Sequence, residues 1–186
     1  MKIIDTALEK SVLKLIPNTV TPNQVTIFRF VTVPFVIWLL LTHQYGVGGV
    51  LFAFSAFTDA IDGAMARTRD MITDWGKLYD PLADKLLIGS AALILVWQHI
   101  GVWVAVLMVV LDILLMANGA YKRYVTHEEM QAEWSGKLKM VLQAIGLIIL
   151  IMYLVFGISI FLLVATYILY AAIFFASISL FVYRAI

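Results

Sequence analysis

Half of the twelve acidic residues of this chain lie in one short stretch, between Asp59 and Lys85. It reads DAIDGAMARTRDMITDWGKLYDPLADK, and the segments on either side are almost entirely apolar. If both halves are helical, at 100° per residue, acidic and small residues share one face of each helix, within arcs of about 100° and about 80°. These residues are Asp59, Asp62, Gly63 and Ala66 on the first helix and Gly76, Asp80 and Asp84 on the second. The short connection makes the helices antiparallel neighbours, so four carboxylates are predicted to converge.

Such a cluster needs counterions. A charged residue deep in a bilayer costs roughly 2.5–3.5 kcal/mol, so four acids facing lipid would cost about 10 kcal/mol or more. Packed together, they would also repel one another, and some would take up protons. Divalent cations remove both difficulties, and Mg²⁺ and Mn²⁺ prefer carboxylate oxygens. Because no histidine or cysteine belongs to the set, it predicts one or two such ions and argues against zinc. The predicted ligands are Asp59, Asp62, Asp80 and Asp84.

The small residues on the acidic faces leave room for a bulky group to approach the backbone. Arg67 follows Ala66 directly and can meet a phosphate. A metal pair, an arginine and an open backbone together indicate a nucleotide diphosphate and phosphoryl-type transfer. Small residues in membrane helices also serve close packing alone, and that interpretation stays open.

Composition places the chain in a membrane. Of its 186 residues, 63% are hydrophobic and only 13% are charged, and the mean hydropathy is +0.97. Ordinary soluble domains are about 45–50% apolar and about 25% charged. A net charge of +1 indicates no nucleic-acid partner, and the lack of cysteine excludes disulfide and thiolate chemistry.

The predicted fold is an all-α integral membrane protein with a single domain over residues 1–186. An amphipathic helix over residues 2–16 is expected to lie on the membrane surface before the first span. A spanning helix needs about 20 mostly apolar residues. By that rule there are six transmembrane helices, near residues 23–43, 47–67, 75–98, 102–121, 137–156 and 159–183.

Basic residues predict the orientation. The three turns on one side, at residues 43–49, 99–102 and 157–159, contain no Lys or Arg, and all thirteen basic residues fall on the other side. By the positive-inside rule, the N-terminus and the acidic site are predicted to face the cytoplasm. The predicted location is the cytoplasmic (inner) membrane. Arg29, in the first span, either snorkels to that surface or faces the acids as a counterion.

The acidic stretch matches a known signature. It reads D-x2-D-G-x2-A-R-x8-G-x3-D-x3-D, and all eight fixed positions are present with the required spacing. This resembles the signature of the CDP-alcohol phosphatidyltransferase family. The resemblance implies that an acceptor hydroxyl attacks the β-phosphorus of a CDP-linked lipid alcohol, such as CDP-diacylglycerol, and that CMP leaves. It also implies a homodimer.

The resemblance further implies residue roles. Asp59, Asp62 and Asp80 would be metal ligands, and Asp84 would be the general base and also touch a second ion. The segment TPNQVT resembles the family's Pro-Asn-x-x-Thr entry, although Asn23 and Thr26 could instead only cap the first span. The residues expected to bind the CDP-lipid are Pro22, Asn23, Gln24, Val25, Thr26, Gly63, Ala66, Arg67, Thr73 and Gly76.

The acceptor is less sharply indicated. YDPLADKLL and WSGKLKMVLQ are similar to segments of phosphatidylglycerophosphate synthases, a branch of that family that uses glycerol 3-phosphate. An acceptor phosphate would then meet a cationic pocket, although positive-inside anchoring also explains such residues. That branch usually has an Arg-Glu pair in span four, where this chain has Asp112 alone. Asp112 and Asn118 either shape an altered acceptor pocket or satisfy polar groups between helices. The pocket residues are Lys122, Arg123, Lys137 and Lys139.

Two alternatives remain. The same chemistry could use inositol phosphate or another alcohol, including an uncharged one. From a different class, an ion or metal transporter also places acids inside a membrane. The outer half of the chain has almost no polar residues along a route, which favours the transferase.

Overall fold

A computed structural model describes residues 21–68, 73–121 and 134–184 of the protein. Within these ranges every regular element is an α-helix, which confirms the predicted all-α class. The helices are α1 (Pro22–Leu41), α2 (Tyr45–Thr68), α3 (Asp74–His99), α4 (Val102–Tyr121), α5 (Trp134–Phe156) and α6 (Ser159–Arg184). The chain forms two compact units, which divide within α3 between Leu87 and Ile88.

Four of these helices are long and apolar enough to cross a membrane. Their apolar stretches are Pro22–Leu41, Val102–Gly119, Ser135–Phe156 and Ser159–Phe181. In α2 the apolar stretch among residues with described side chains is Tyr45–Thr58, and α3 begins with the charged half of the acidic stretch. The six predicted helices are therefore present with ends that differ by at most three residues from the prediction. That all six span the membrane stays a prediction, and the helix predicted over residues 2–16 lies outside the described residues.

A complete capping box begins α1. The Thr21 hydroxyl accepts a hydrogen bond from the Gln24 backbone N–H at 3.4 Å, and the Gln24 side chain accepts one from the Thr21 N–H at 3.0 Å. Pro22 occupies the first helical position, where its missing N–H costs nothing. The alternative role suggested for Asn23 and Thr26, capping of this helix, is therefore wrong. Thr21 does the capping.

The first unit contains a buried polar seam where α1 packs along α2. The Thr32 and Ser55 hydroxyls lie 2.8 Å apart, and Thr58 donates to the Ser55 carbonyl at 2.6 Å. Arg29 is completely buried, so its guanidinium does not snorkel to water. Hydroxyls that bond one another or a helix carbonyl can be buried at little cost, because their polar atoms keep partners.

The second unit is built on close approach between α5 and α6. Gly157 ends α5 with φ of +71°, a left-handed conformation that glycine adopts readily, and it provides the predicted short turn. Further along, a Cβ added to Gly146 would lie 2.7 Å from Leu169 Cδ2 and 2.8 Å from Leu169 Cγ. Glycine is thus required for this helix contact, as small residues often are between membrane helices. α4 packs against α6 in the same unit.

Gly146→Ala should destabilise the protein by about 1–3 kcal/mol, because the added methyl group overpacks the α5–α6 contact. The midpoint of thermal unfolding in detergent measures this effect. Gly89→Ala is the matched control, since a Cβ there meets nothing within 4 Å, and it should leave the midpoint unchanged or raise it. Equal midpoints for the two variants would contradict the close contact.

Candidate active site

Two of the four predicted metal ligands lie one helical turn apart on α3. Asp84 is buried, with 5% of its surface exposed, and Asp80 is partly buried. α3 runs through both positions and through Pro81 between them. The predicted helical spacing on this side of the site is therefore confirmed. Both carboxylates belong to the first unit.

A threonine from α1 contacts the first of these carboxylates. Thr26 is completely buried, and its hydroxyl donates a hydrogen bond to Asp80 Oδ1 at 2.5 Å. The same hydroxyl lies 3.2 Å from the Pro22 carbonyl. Hydrogen bonds from hydroxyls to carboxylates are shorter and stronger than those between neutral groups. The second turn of α1 thus touches the acidic face of α3.

The N-terminus of α3 makes a second link to α1. The Thr73 hydroxyl accepts a hydrogen bond from the Gly76 N–H at 3.0 Å, which is the usual geometry of a helix N-cap. The same hydroxyl donates to Asn23 Oδ1 at 2.9 Å. The predicted neighbours Asn23, Thr73 and Gly76 are therefore brought together. They connect the Pro-Asn-x-x-Thr segment to the start of the second acidic helix.

Oxygen atoms crowd the open side of Gly76. A Cβ built on this glycine would lie 3.2 Å from Asp80 Oδ2, 3.2 Å from Thr73 Oγ1 and 3.4 Å from Asn23 Oδ1. Three oxygens, one from the start of α1 and two from the start of α3 and its N-cap, thus converge on one small space. Mg²⁺ and Mn²⁺ prefer oxygen ligands, so the donor set in this part of the site suits a hard cation.

The other half of the signature lies on α2. The helix continues through Asp59, Asp62, Gly63, Ala66 and Arg67, as the prediction requires, but their side chains fall outside what the structure describes. Among the described residues, no group of three or more acidic, histidine or cysteine side chains forms a metal cluster. The four-carboxylate site stays a prediction, with Asp80 and Asp84 as its described members.

The second unit contains an ion pair that involves a predicted acceptor-binding residue. The Lys139 ammonium pairs with Asp112 Oδ1, and the Gln143 side-chain amide donates to Asp112 Oδ2 at 3.1 Å. All three residues are buried. Asp112 therefore satisfies polar groups between α4 and α5, which was one of its two suggested roles. Lys137 is exposed, whereas Lys122 and Arg123 lie outside the described residues.

Comparison with known proteins decides the family. A sequence model described as CDP-alcohol phosphatidyltransferase matches residues 19–179, which is most of the chain. The chain belongs to the CDP-alcohol phosphatidyltransferase family. Together with the four long apolar helices, this membership makes it an integral membrane protein of that family. The matched region contains the whole signature and all six helices apart from the end of α6.

Different relatives of this chain are named as different enzymes. A CDP-diacylglycerol–glycerol-3-phosphate 3-phosphatidyltransferase of Rickettsia typhi is 38% identical over 77 residues, which are 40% of this chain and 43% of that protein. The Bacillus subtilis protein of the same name is 30% identical over 153 residues, 71% of this chain and 76% of that protein. A probable cardiolipin synthase (CMP-forming) of Drosophila melanogaster is 33% identical over 107 residues, 56% of this chain and 33% of that protein. The match thus spans less than half the length of the Rickettsia and Drosophila relatives.

Two contacts of this family member were not predicted from its sequence. One is the hydrogen bond from Thr26 to Asp80, and the other is the pairing of Asp112 with Lys139 and Gln143. The second had a usable signal, since Asp112, Lys139 and Gln143 each interrupt an apolar helix and isolated polar groups there need partners. The hydrogen bond from Thr26 to Asp80 had no such signal, because the two residues are 54 positions apart and each had been given another role.

Lys139→Met should destabilise the protein by roughly 3–5 kcal/mol, because it leaves the buried Asp112 carboxylate without its cation. The double variant Lys139→Met/Asp112→Asn should recover most of this loss, since Asn can still accept the hydrogen bond from Gln143. Unfolding midpoints in detergent measure both effects. Additive losses in the double variant would show that the pair is not coupled.

Proposed function

We propose that this protein transfers a phosphatidyl group from CDP-diacylglycerol to a hydroxyl of glycerol 3-phosphate and releases CMP. The observation that carries this proposal is the complete eight-residue signature inside the matched family region. Its second half lies on α3 beside the Asn23–Thr73 contact. The name of the Bacillus subtilis relative, which aligns with 71% of the chain, supports both substrates.

The reaction assigns a proton transfer to Asp84. Its carboxylate takes the proton of the acceptor hydroxyl while that oxygen attacks the β-phosphorus of the CDP-lipid. The bond from the β-phosphorus to the bridging oxygen breaks, and CMP leaves with the electron pair. The burial of Asp84 supports this role, because a shielded base meets the acceptor hydroxyl rather than bulk water.

Asp59, Asp62 and Asp80 are the proposed ligands of a divalent ion, and Asp84 also touches a second ion. The oxygen donors that converge near Gly76 support a hard cation such as Mg²⁺ or Mn²⁺. When bound, these ions neutralise the diphosphate and stabilise the charge that develops on CMP. The residues of the chain then only have to orient the lipid alcohol and accept one proton.

The CDP moiety is assigned to the start of α1, the start of α3 and the end of α2. Asn23 and Thr73 bond each other at 2.9 Å and so hold two of these segments together. The absence of a side chain at Gly76 lets the Thr73 and Asn23 oxygens approach the backbone closely at this point. The remaining proposed contacts are Pro22, Gln24, Val25, Thr26, Gly63, Ala66 and Arg67.

The acceptor phosphate is assigned to Lys122, Arg123, Lys137 and Lys139. Lys137 is exposed to solvent, whereas part of the charge of Lys139 is neutralised by Asp112. A second candidate is the same chemistry with another acceptor alcohol. The relative named as a CMP-forming cardiolipin synthase favours it, because relatives of this chain with different products share the sequence match.

We further propose that the protein is a homodimer. Each copy spans the membrane six times, with its N-terminus and active site facing the cytoplasm. The turns at residues 42–44, 100–101 and 157–158 contain no Lys or Arg, which supports this orientation. A site near the inner boundary suits a reaction between a lipid and a water-soluble alcohol.

Purified protein given CDP-diacylglycerol, Mg²⁺ and glycerol 3-phosphate should release CMP, and EDTA should abolish the release. Radiolabelled CDP-lipid and chromatography of the products provide the measurement. Inositol phosphate, inositol, serine and phosphatidylglycerol are the competing acceptors in the same assay. A faster reaction with any of them would identify that alcohol as the acceptor in place of glycerol 3-phosphate. The absence of CMP release with every acceptor, glycerol 3-phosphate included, would refute the transferase.

Asp84→Asn should lower CMP release by about 10³-fold or more, because the amide cannot accept the proton of the acceptor hydroxyl. Asparagine has nearly the same shape, so the unfolding midpoint in detergent should stay close to that of the unaltered protein. Undiminished CMP release by this variant would rule out Asp84 as the base.

A further inference from the structure

We infer that Thr26 is a positioning residue, whose hydroxyl holds one oxygen of the Asp80 carboxylate so that the other is presented to a divalent cation. This inference rests on the proposed function, in which Asp80 is a metal ligand. The hydrogen bond of the Thr26 hydroxyl goes to the Asp80 carboxylate, so Thr26 would act on the cation site through Asp80.

The geometry distinguishes the two oxygens of Asp80. Oδ1 accepts the Thr26 hydroxyl at 2.5 Å. Oδ2 lies 3.2 Å from where a Cβ of Gly76 would lie, and the Thr73 and Asn23 oxygens lie 3.2 and 3.4 Å from the same point. One carboxylate oxygen is therefore bonded to α1, and the other contributes to the oxygen-rich space. Partners of this kind orient metal ligands in many proteins.

The Thr26 side chain is itself firmly held. It is completely buried in the second turn of α1, directly after the capping box that begins the helix. A β-branched side chain in a helix has few available rotamers. A hydroxyl has a single proton, and the carboxylate at 2.5 Å is a better acceptor for it than the Pro22 carbonyl at 3.2 Å.

A purely structural contact between α1 and α3 would predict something different. Loss of the hydroxyl would then lower stability and change nothing else. A positioning role predicts a specific loss of cation affinity, because a free carboxylate must be ordered again each time the ion binds. Removing the partner of a metal ligand typically costs 10–100-fold in metal affinity or activity.

The chain provides a matched control on the same helix. Thr32 lies on α1, is also buried, and shares a hydrogen bond of 2.8 Å with Ser55. Its partners are the Ser55 hydroxyl and the Arg29 carbonyl, and neither is a carboxylate. Thr32→Val therefore removes a buried hydroxyl from α1 as Thr26→Val does, without disturbing any residue of the acidic signature.

The experiment measures Mn²⁺ binding to the full-length protein in detergent, without substrate, by electron paramagnetic resonance. The quantity compared between variants is the affinity of the Mn²⁺ binding that is lost in Asp80→Asn. Thr26→Val should weaken it at least tenfold, whereas Thr26→Ser, which keeps the hydroxyl, and Thr32→Val should stay within twofold of the unaltered protein. Thr26→Ala is the second variant if Thr26→Val does not fold, and the same loss is expected.

Three outcomes would overturn the inference: Mn²⁺ affinity that survives both Thr26→Val and Thr26→Ala, an equal loss in Thr32→Val, or no Mn²⁺ binding that depends on Asp80. Because binding is measured without turnover, the proposed function can fail separately. Asp80-dependent binding that is lost in Thr26→Val, in a protein that releases no CMP from CDP-diacylglycerol, would support the positioning role and refute the transferase.

Discussion

An ionised carboxylate inside an apolar helix bundle must have partners, and this requirement governs both units of the protein. In the first unit, Asp80 accepts a hydrogen bond from the buried hydroxyl of Thr26. In the second unit, Asp112 is paired with Lys139 and bonded by Gln143. Without such contacts each charge would cost several kcal/mol. The two contacts differ in charge: the ion pair neutralises its carboxylate, whereas a hydroxyl carries no charge of its own.

That difference fits the proposed division of labour within the family fold. The signature carboxylates have to keep their charge, since they are expected to hold divalent ions beside a diphosphate. α1 serves them as a support. Its capping box fixes the helix start, its Asn23 joins Thr73 at the start of α3, and Thr26 holds Asp80. The charge of Asp112, by contrast, is neutralised by Lys139, which makes Asp112 a structural group in the part of the chain that the structure describes.

Local pattern was a good guide to the helices and a poor one to contacts between them. Helix ends followed from apolar runs and from turn residues such as Gly157, because these act over a few positions. The sequence left open whether Asn23 and Thr26 only cap α1, and the structure gives that role to Thr21, which has Gln24 three positions later. The role of Asp112 stayed open between two possibilities, because its partners lie on another helix.

The amino-acid sequence by itself determined the class, the six helices of the described residues and the acidic signature, because composition and periodicity are properties of neighbouring residues. It also determined the family, since eight positions with defined spacing identify a signature without any coordinates. Only the tertiary structure decided which side chains meet. That Thr26 reaches Asp80, and that Asp112 takes Lys139, depends on how helices far apart in the chain pack, and no local pattern encodes the distance between two atoms on different helices.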